Sequence, residues 1–137
     1  MIVVAYSGGQ PLRNCARLPS YKTFAMTNAD LFMEVVATYR KHGWELRRAL
    51  LQPATVAELK SGEAELLGNV HVKEAAFDAL WFSRPSHNDR EAWELRLLAQ
   101  TQYALFETFE ADETEEERDD VKLEMEARLR DYVSGKQ

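Results

Sequence analysis

Cysteine and histidine are nearly missing from this chain: one cysteine and three histidines in 137 residues. A single thiol, Cys15, cannot close an internal disulfide, which fits a reducing compartment and makes the cytoplasm the expected location. His42, His71 and His87 stand in no H-x-H or H-x-x-x-H spacing, so no metal site is expected. Glycine (6) and proline (4) are sparse enough to exclude collagen-like and low-complexity chains. No window reaches about eighteen consecutive apolar residues, the minimum for a membrane-spanning helix. Residues 1–9 carry no basic flank and too short an apolar run for a secretory signal, and neither end has a lipidation motif. No direct membrane insertion is therefore expected.

The composition that remains is that of a globular domain: 45% hydrophobic and 29% charged, in a length that suits one domain spanning 1–137 with a full core. The formal charge of −6 is unevenly spread. Residues 110–131 hold eleven carboxylates against four cations, a balance of −7 that leaves the rest of the chain close to neutral. Without a basic stripe to neutralise phosphates, nucleic acid is an unfavoured partner. A protein with a basic surface suits this charge pattern better.

Periodicity supplies the elements. Residues 2–6 read as a short strand and 21–26 as a second, within a poorly defined segment 1–27. Leu31, Phe32, Val35, Val36 and Tyr39 recur at helical spacing from Asn28, a good N-cap, and Gly43 is placed to end that helix in the left-handed conformation. Residues 44–52 alternate as a strand, 54–61 after Pro53 as a short helix, and 70–73 as a short strand. Residues 77–84, 91–99 and 103–110 form a three-stranded meander. Thr114 with Glu117 spells a capping box, opening an acidic amphipathic helix over 114–134 with Val121, Met125, Leu129 and Val133 every four residues.

Candidate chemistry is thin. Val3 to Gly9 resembles the phosphate loop of the ATP pyrophosphatase (PP-loop) family, in which a strand precedes Ser-Gly-Gly-x-Asp-Ser. Gln10, Pro11 and Leu12 depart from that pattern, so a strand ending in a glycine turn is the simpler expectation. Cys15 has Arg13 and Arg17 nearby but no histidine placed as its base. The six aromatic residues Trp44, Trp81, Phe82, Trp93, Tyr103 and Phe106 are expected to fill the core rather than to stack nucleobases. Arg47, Arg84, Arg90 and Arg96 strengthen a nucleic-acid reading only if the fold clusters them. Trp-Glu-Leu-Arg occurs twice, at 44–47 and 93–96. The two copies are read as strands meeting the same half-buried environment, with Arg47 and Arg96 facing outward in cross-strand ion pairs.

These readings lead to an α+β fold: an antiparallel sheet of four to five strands, one face packed against the helices near 29–42 and 114–134, the other wet or covered by a partner. The expected function is that of a non-catalytic protein-interaction module or accessory subunit of a larger assembly. Its docking surface would comprise Glu115, Glu116, Glu117, Asp119 and Asp120. No catalytic residue, cofactor or metal is assigned, and homo-oligomerisation is left open. The alternative is a small-ligand-binding domain or small enzyme with a pocket between sheet and helices drawing on Arg84, His87, Tyr103 and Glu107.

Overall fold

The computed structural model describes residues 2–5, 27–61, 66–68 and 70–135. The proposed strand at 21–26, the Ser-Gly-Gly turn and Cys15 lie outside them. The fold is α+β, with element order β1 (Ile2–Ala5), α1 (Asn28–Lys41), β2 (Glu45–Leu51), α2 (Pro53–Lys60), β3 (His71–Glu74), β4 (Ala79–Pro85), β5 (Glu91–Leu97), β6 (Tyr103–Phe109) and α3 (Glu115–Val133). The strands form one sheet in the order β1-β6-β5-β4-β2-β3. The expected four-to-five-stranded sheet is thus present and is extended at one edge by β1. All pairs are antiparallel except β2 with β3. That parallel pair needs a crossover, which the segment containing α2 provides.

The helices cover opposite faces, which corrects the expectation of one packed and one open face. One core joins α1 and α2 residues (Leu31, Phe32, Val35, Val36, Tyr39, Leu59) to Ala49, Leu51, Leu80 and Phe82. A second joins α3 (Met125, Leu129) to Leu50, Trp81, Leu95 and Leu105. The physical reason lies in β4, where Ala79, Leu80, Trp81, Phe82 and Ser83 are all buried. A run with no polar alternation requires apolar cover on both sides of its sheet. Phe106 packs with the first core and Tyr103 and Leu105 with the second, the division expected from their alternation.

Two local expectations change. Thr27, not Asn28, caps α1: its hydroxyl accepts from the Asp30 N–H at 3.0 Å, and Asn28 becomes the first helical residue. Both residue types cap well, and the tertiary contact from the Asn28 amide toward Thr55 Oγ1 is met with Asn28 inside the helix. The two Trp-Glu-Leu-Arg strings also meet different environments. Trp44 packs in the α1-side core, whereas Trp93 packs on the α3 side. Arg47 is exposed and pairs with Glu45 at 3.0 Å. Arg96, on central β5 with both faces covered, is buried beside Tyr39 instead of facing outward.

Other local expectations hold. Gly43 takes the left-handed conformation (φ 88°), and the capping box at Thr114 and Glu117 is complete. None of the described helices is long and apolar enough to cross a membrane.

Candidate functional site

Two surface features meet near the start of α3. The first is its acidic face. The capping box fixes the first turn: the Glu117 N–H donates to Thr114 Oγ1 at 3.1 Å, and Glu117 Oε1 accepts from the Thr114 N–H at 2.9 Å. Met125 and Leu129, both fully buried, hold the helix to the sheet. Glu115, Glu116, Asp119 and Asp120 are exposed, and no hydrogen bond or ion pair joins their side chains to any described residue. Of the five carboxylates expected to dock a partner, Glu117 is therefore engaged in the cap and four stand ready. Leu123, 56% exposed, follows Glu116, Asp119 and Asp120 on the same helical stripe, at the i, i+3, i+4 and i+7 positions that share one face.

The second feature is a concavity of about 370 Å³ where β4 turns into β5, lined by Arg47, Arg84, Arg90 and Arg118 together with Asp89 and Glu91. Sequence alone left open whether the arginines cluster. The fold brings Arg47, Arg84 and Arg90 together and adds Arg118 from α3, while Arg96 lies elsewhere, under α1. Each guanidinium is anchored. Arg47 bulges out of the β2–β4 pairing between Leu46 and Arg48, and its Nε donates to Ser83 Oγ at 2.7 Å. Arg84 Nη1 donates to the His42 carbonyl at 2.8 Å, and its guanidinium lies 4.6 Å from the centre of the Trp44 ring. Arg90 pairs with Glu110 at 3.0 Å. Arg118 donates to Glu91 at 3.1 Å and to the Glu110 carbonyl at 2.7 Å, and its buried Nε has no hydrogen-bond partner among the described residues.

The turn that carries Arg90 has two consecutive residues of positive φ, Asn88 (57°) and Asp89 (62°). Asn and Asp tolerate this region better than other side-chain-bearing residues. The stretch falls in the interval between the expected strands 77–84 and 91–99.

The four residues expected to form a pocket do not share one cavity. Arg84 lines the concavity, and His87 sits in the adjoining turn. Glu107 pairs with Trp93 on the α3 side of the sheet. Tyr103 is at the other end of β6, stacked on Tyr132 with ring centres 3.7 Å apart. The histidines are likewise dispersed, His42 at the end of α1, His71 in β3 and His87 in the turn. Among the described residues no three His, Cys, Asp or Glu side chains are grouped to hold a metal ion.

Three buried polar clusters escaped the sequence reading. Under α1, the Tyr39 hydroxyl donates to Glu94 Oε2. Beside β2, Asp78 accepts from Gln52 N and Thr55 Oγ1, each at 2.8 Å. Under α3, Glu126 Oε2 accepts from Trp81 Nε1 at 2.9 Å, with Lys73 Nζ 3.3 Å from the other oxygen. A signal for the last was present. Lys122, Met125, Glu126 and Leu129 are buried together at i, i+3, i+4 and i+7, a pattern hidden because charged residues are counted as polar although their stems pack well.

Lys122 Nζ lies 3.5 Å from the Trp93 ring centre and 5.8 Å from that of Phe109. Burial pushes its pKa below the ordinary lysine value, against the opposing pull of Asp119 and Glu115. Between that lowered value and about 10.5 the unfolded chain binds the extra proton, so stability from this group rises with pH. Tyr103 acts oppositely: burial raises its pKa, so above about 10 the folded state retains a proton that the unfolded state has lost, and stability falls. Lys122→Met is expected to abolish the rise below about pH 10 and to leave the fall above it. Urea unfolding of both proteins across that range checks this; superimposable pH profiles would refute it.

No protein-family model matches this chain, no curated protein is significantly similar to it, and no solved structure matches its fold significantly.

Proposed function

We propose that the protein is a non-catalytic interaction module, an accessory subunit of a larger assembly, which presents the acidic start of α3 to a partner with a basic surface. The observation that carries this reading is the set of four exposed carboxylates, Glu115, Glu116, Asp119 and Asp120, whose side chains have no hydrogen-bond or ion-pair partner among the described residues. They sit on a helix already locked by its cap and its buried face. A rigid array of unpaired charge loses little conformational entropy on docking, and it attracts an opposite charge over roughly a Debye length, about 8–10 Å at physiological salt. Exposed Leu123 on the same stripe supplies apolar area at the centre of such a contact. The lone cysteine favours the cytoplasm as the setting.

Native mass spectrometry of the protein isolated from its own cells tests this. A stoichiometric protein partner is expected, lost both at raised ionic strength and in the charge-neutralised variant Glu115→Gln, Glu116→Gln, Asp119→Asn, Asp120→Asn. That variant leaves Glu117 and the cap intact, so it remains folded by far-ultraviolet circular dichroism. A bare protein, or a complex indifferent to both treatments, overturns the reading.

A further inference from the structure

The arginine-lined concavity has a property that the docking reading does not use. We propose that it binds a small phosphorylated molecule through the dianionic phosphate. A guanidinium offers five N–H donors, and the contacts within the fold occupy only some of those on Arg47, Arg84, Arg90 and Arg118. Several anchors are neutral: Ser83 Oγ for Arg47, the His42 carbonyl for Arg84 and the Glu110 carbonyl for Arg118. They fix the planes of the guanidinium groups, while Arg47 and Arg118 also carry ion pairs. Among the described residues Arg84 has no carboxylate partner, its contacts being a carbonyl and the face of Trp44.

The carboxylates near the site pair with its own arginines or lie at its turn. Glu91 accepts from Trp93 Nε1 at 2.8 Å as well as from Arg118. Glu45 and Glu110 pair with Arg47 and Arg90, and Asp89 belongs to the turn. Three of the four arginines are thus ion-paired, and Arg84 is the one whose charge no described carboxylate offsets by an ion pair. Planar guanidinium groups match phosphate oxygens geometrically. The volume, about 370 Å³, lies at the small end of ligand-binding cavities.

Isothermal titration of the full-length protein with inorganic phosphate and pyrophosphate, with acetate as a monoanion control, tests the proposal. Saturable one-to-one binding of phosphate or pyrophosphate is expected, with none of acetate. Arg84→Gln is expected to weaken it about tenfold or more, the scale of one charge-assisted hydrogen bond. Asp89→Asn, which removes a negative charge yet still tolerates the positive φ, is expected to tighten it. Lys60→Gln, at the far end of α2, serves as a remote charge control and is expected to change nothing. Absence of saturable binding, equal loss in Arg84→Gln and Lys60→Gln, or no tightening in Asp89→Asn each overturns the site. None of these outcomes bears on the acidic face, whose residues all three variants retain.

Discussion

Glu126→Ala is expected to cost about 2–4 kcal/mol of folding stability, because it removes the acceptor of a fully buried indole and strands neighbouring charge. Trp81 has no exposed surface, and among the described residues its Nε1 donates to the Glu126 carboxylate alone, at 2.9 Å. Leaving that N–H unpaired in the core is the larger part, about 1–3 kcal/mol. The ion pairs with Lys73 (3.3 Å) and Arg48 (3.8 Å) add less. Their cationic side chains are 48% and 35% exposed, so solvent screens them toward the surface value of about 0–1 kcal/mol each. Urea denaturation measures the total. A double-mutant cycle with Trp81→Phe separates the parts: with the indole N–H gone, Glu126→Ala should cost markedly less. An unchanged cost would mean that the carboxylate acts through Arg48 and Lys73 instead.

Asp78→Ala is expected to be of similar size, about 2–4 kcal/mol, for a different reason: one carboxylate satisfies several donors at once. Its Oδ1 accepts from the Gln52 N–H at 2.8 Å, while Oδ2 accepts from Thr55 Oγ1 at 2.8 Å and from Gln52 Nε2 at 3.3 Å. Gln52 is the N-cap of α2 and makes no side-chain cap of its own. Asp78, reached from the start of β4, thus secures the entry to a short helix whose apolar face is small. Asp78 is itself buried, and so is Thr55, so water cannot replace the lost acceptor cheaply. Thr55→Val removes one donor together with its need and should cost about 1 kcal/mol or less. Hydrogen exchange of α2 amides gives the local readout: Asp78→Ala should speed exchange in residues 53–60 well before the α3 amides respond. Uniform loosening would show that Asp78 supports the sheet rather than the helix.

Both sites put a charged group under a helix that faces the sheet, and both lie in parts of the sequence that read as ordinary. Asp78 follows Phe77 at the threshold of a strand, where an acidic residue is expected to face water. Glu126 belongs to the acidic helix, where it is one carboxylate among many. Neither is distinguished by its neighbours in sequence, because its partners, Gln52 and Thr55 for one and Trp81 for the other, are 23 to 45 residues away.

The element order was legible throughout the described residues. Helices, strands and caps depend on local terms: apolar period, the left-handed conformation at Gly43, Pro53 at a first helical turn, and the capping box at Thr114 and Glu117. Sheet packing on both faces was also written in β4, as five successive buried positions, but its consequence, helices on opposite sides, emerges only with the strand order β1-β6-β5-β4-β2-β3. The same order separates the two Trp-Glu-Leu-Arg strings, since a tetrapeptide carries no information about which faces of its strand are covered. The acidic face of α3 could be read from composition and helical spacing, because exposed charge on a helix is a local property. The arginine concavity could not. Arg47, Arg84, Arg90 and Arg118 come from β2, β4, the β4–β5 turn and α3, and converge only because a bulge turns Arg47 out and the cap sets where α3 begins. Convergence from four elements depends on long-range register, and no periodicity along one strand or helix can encode it.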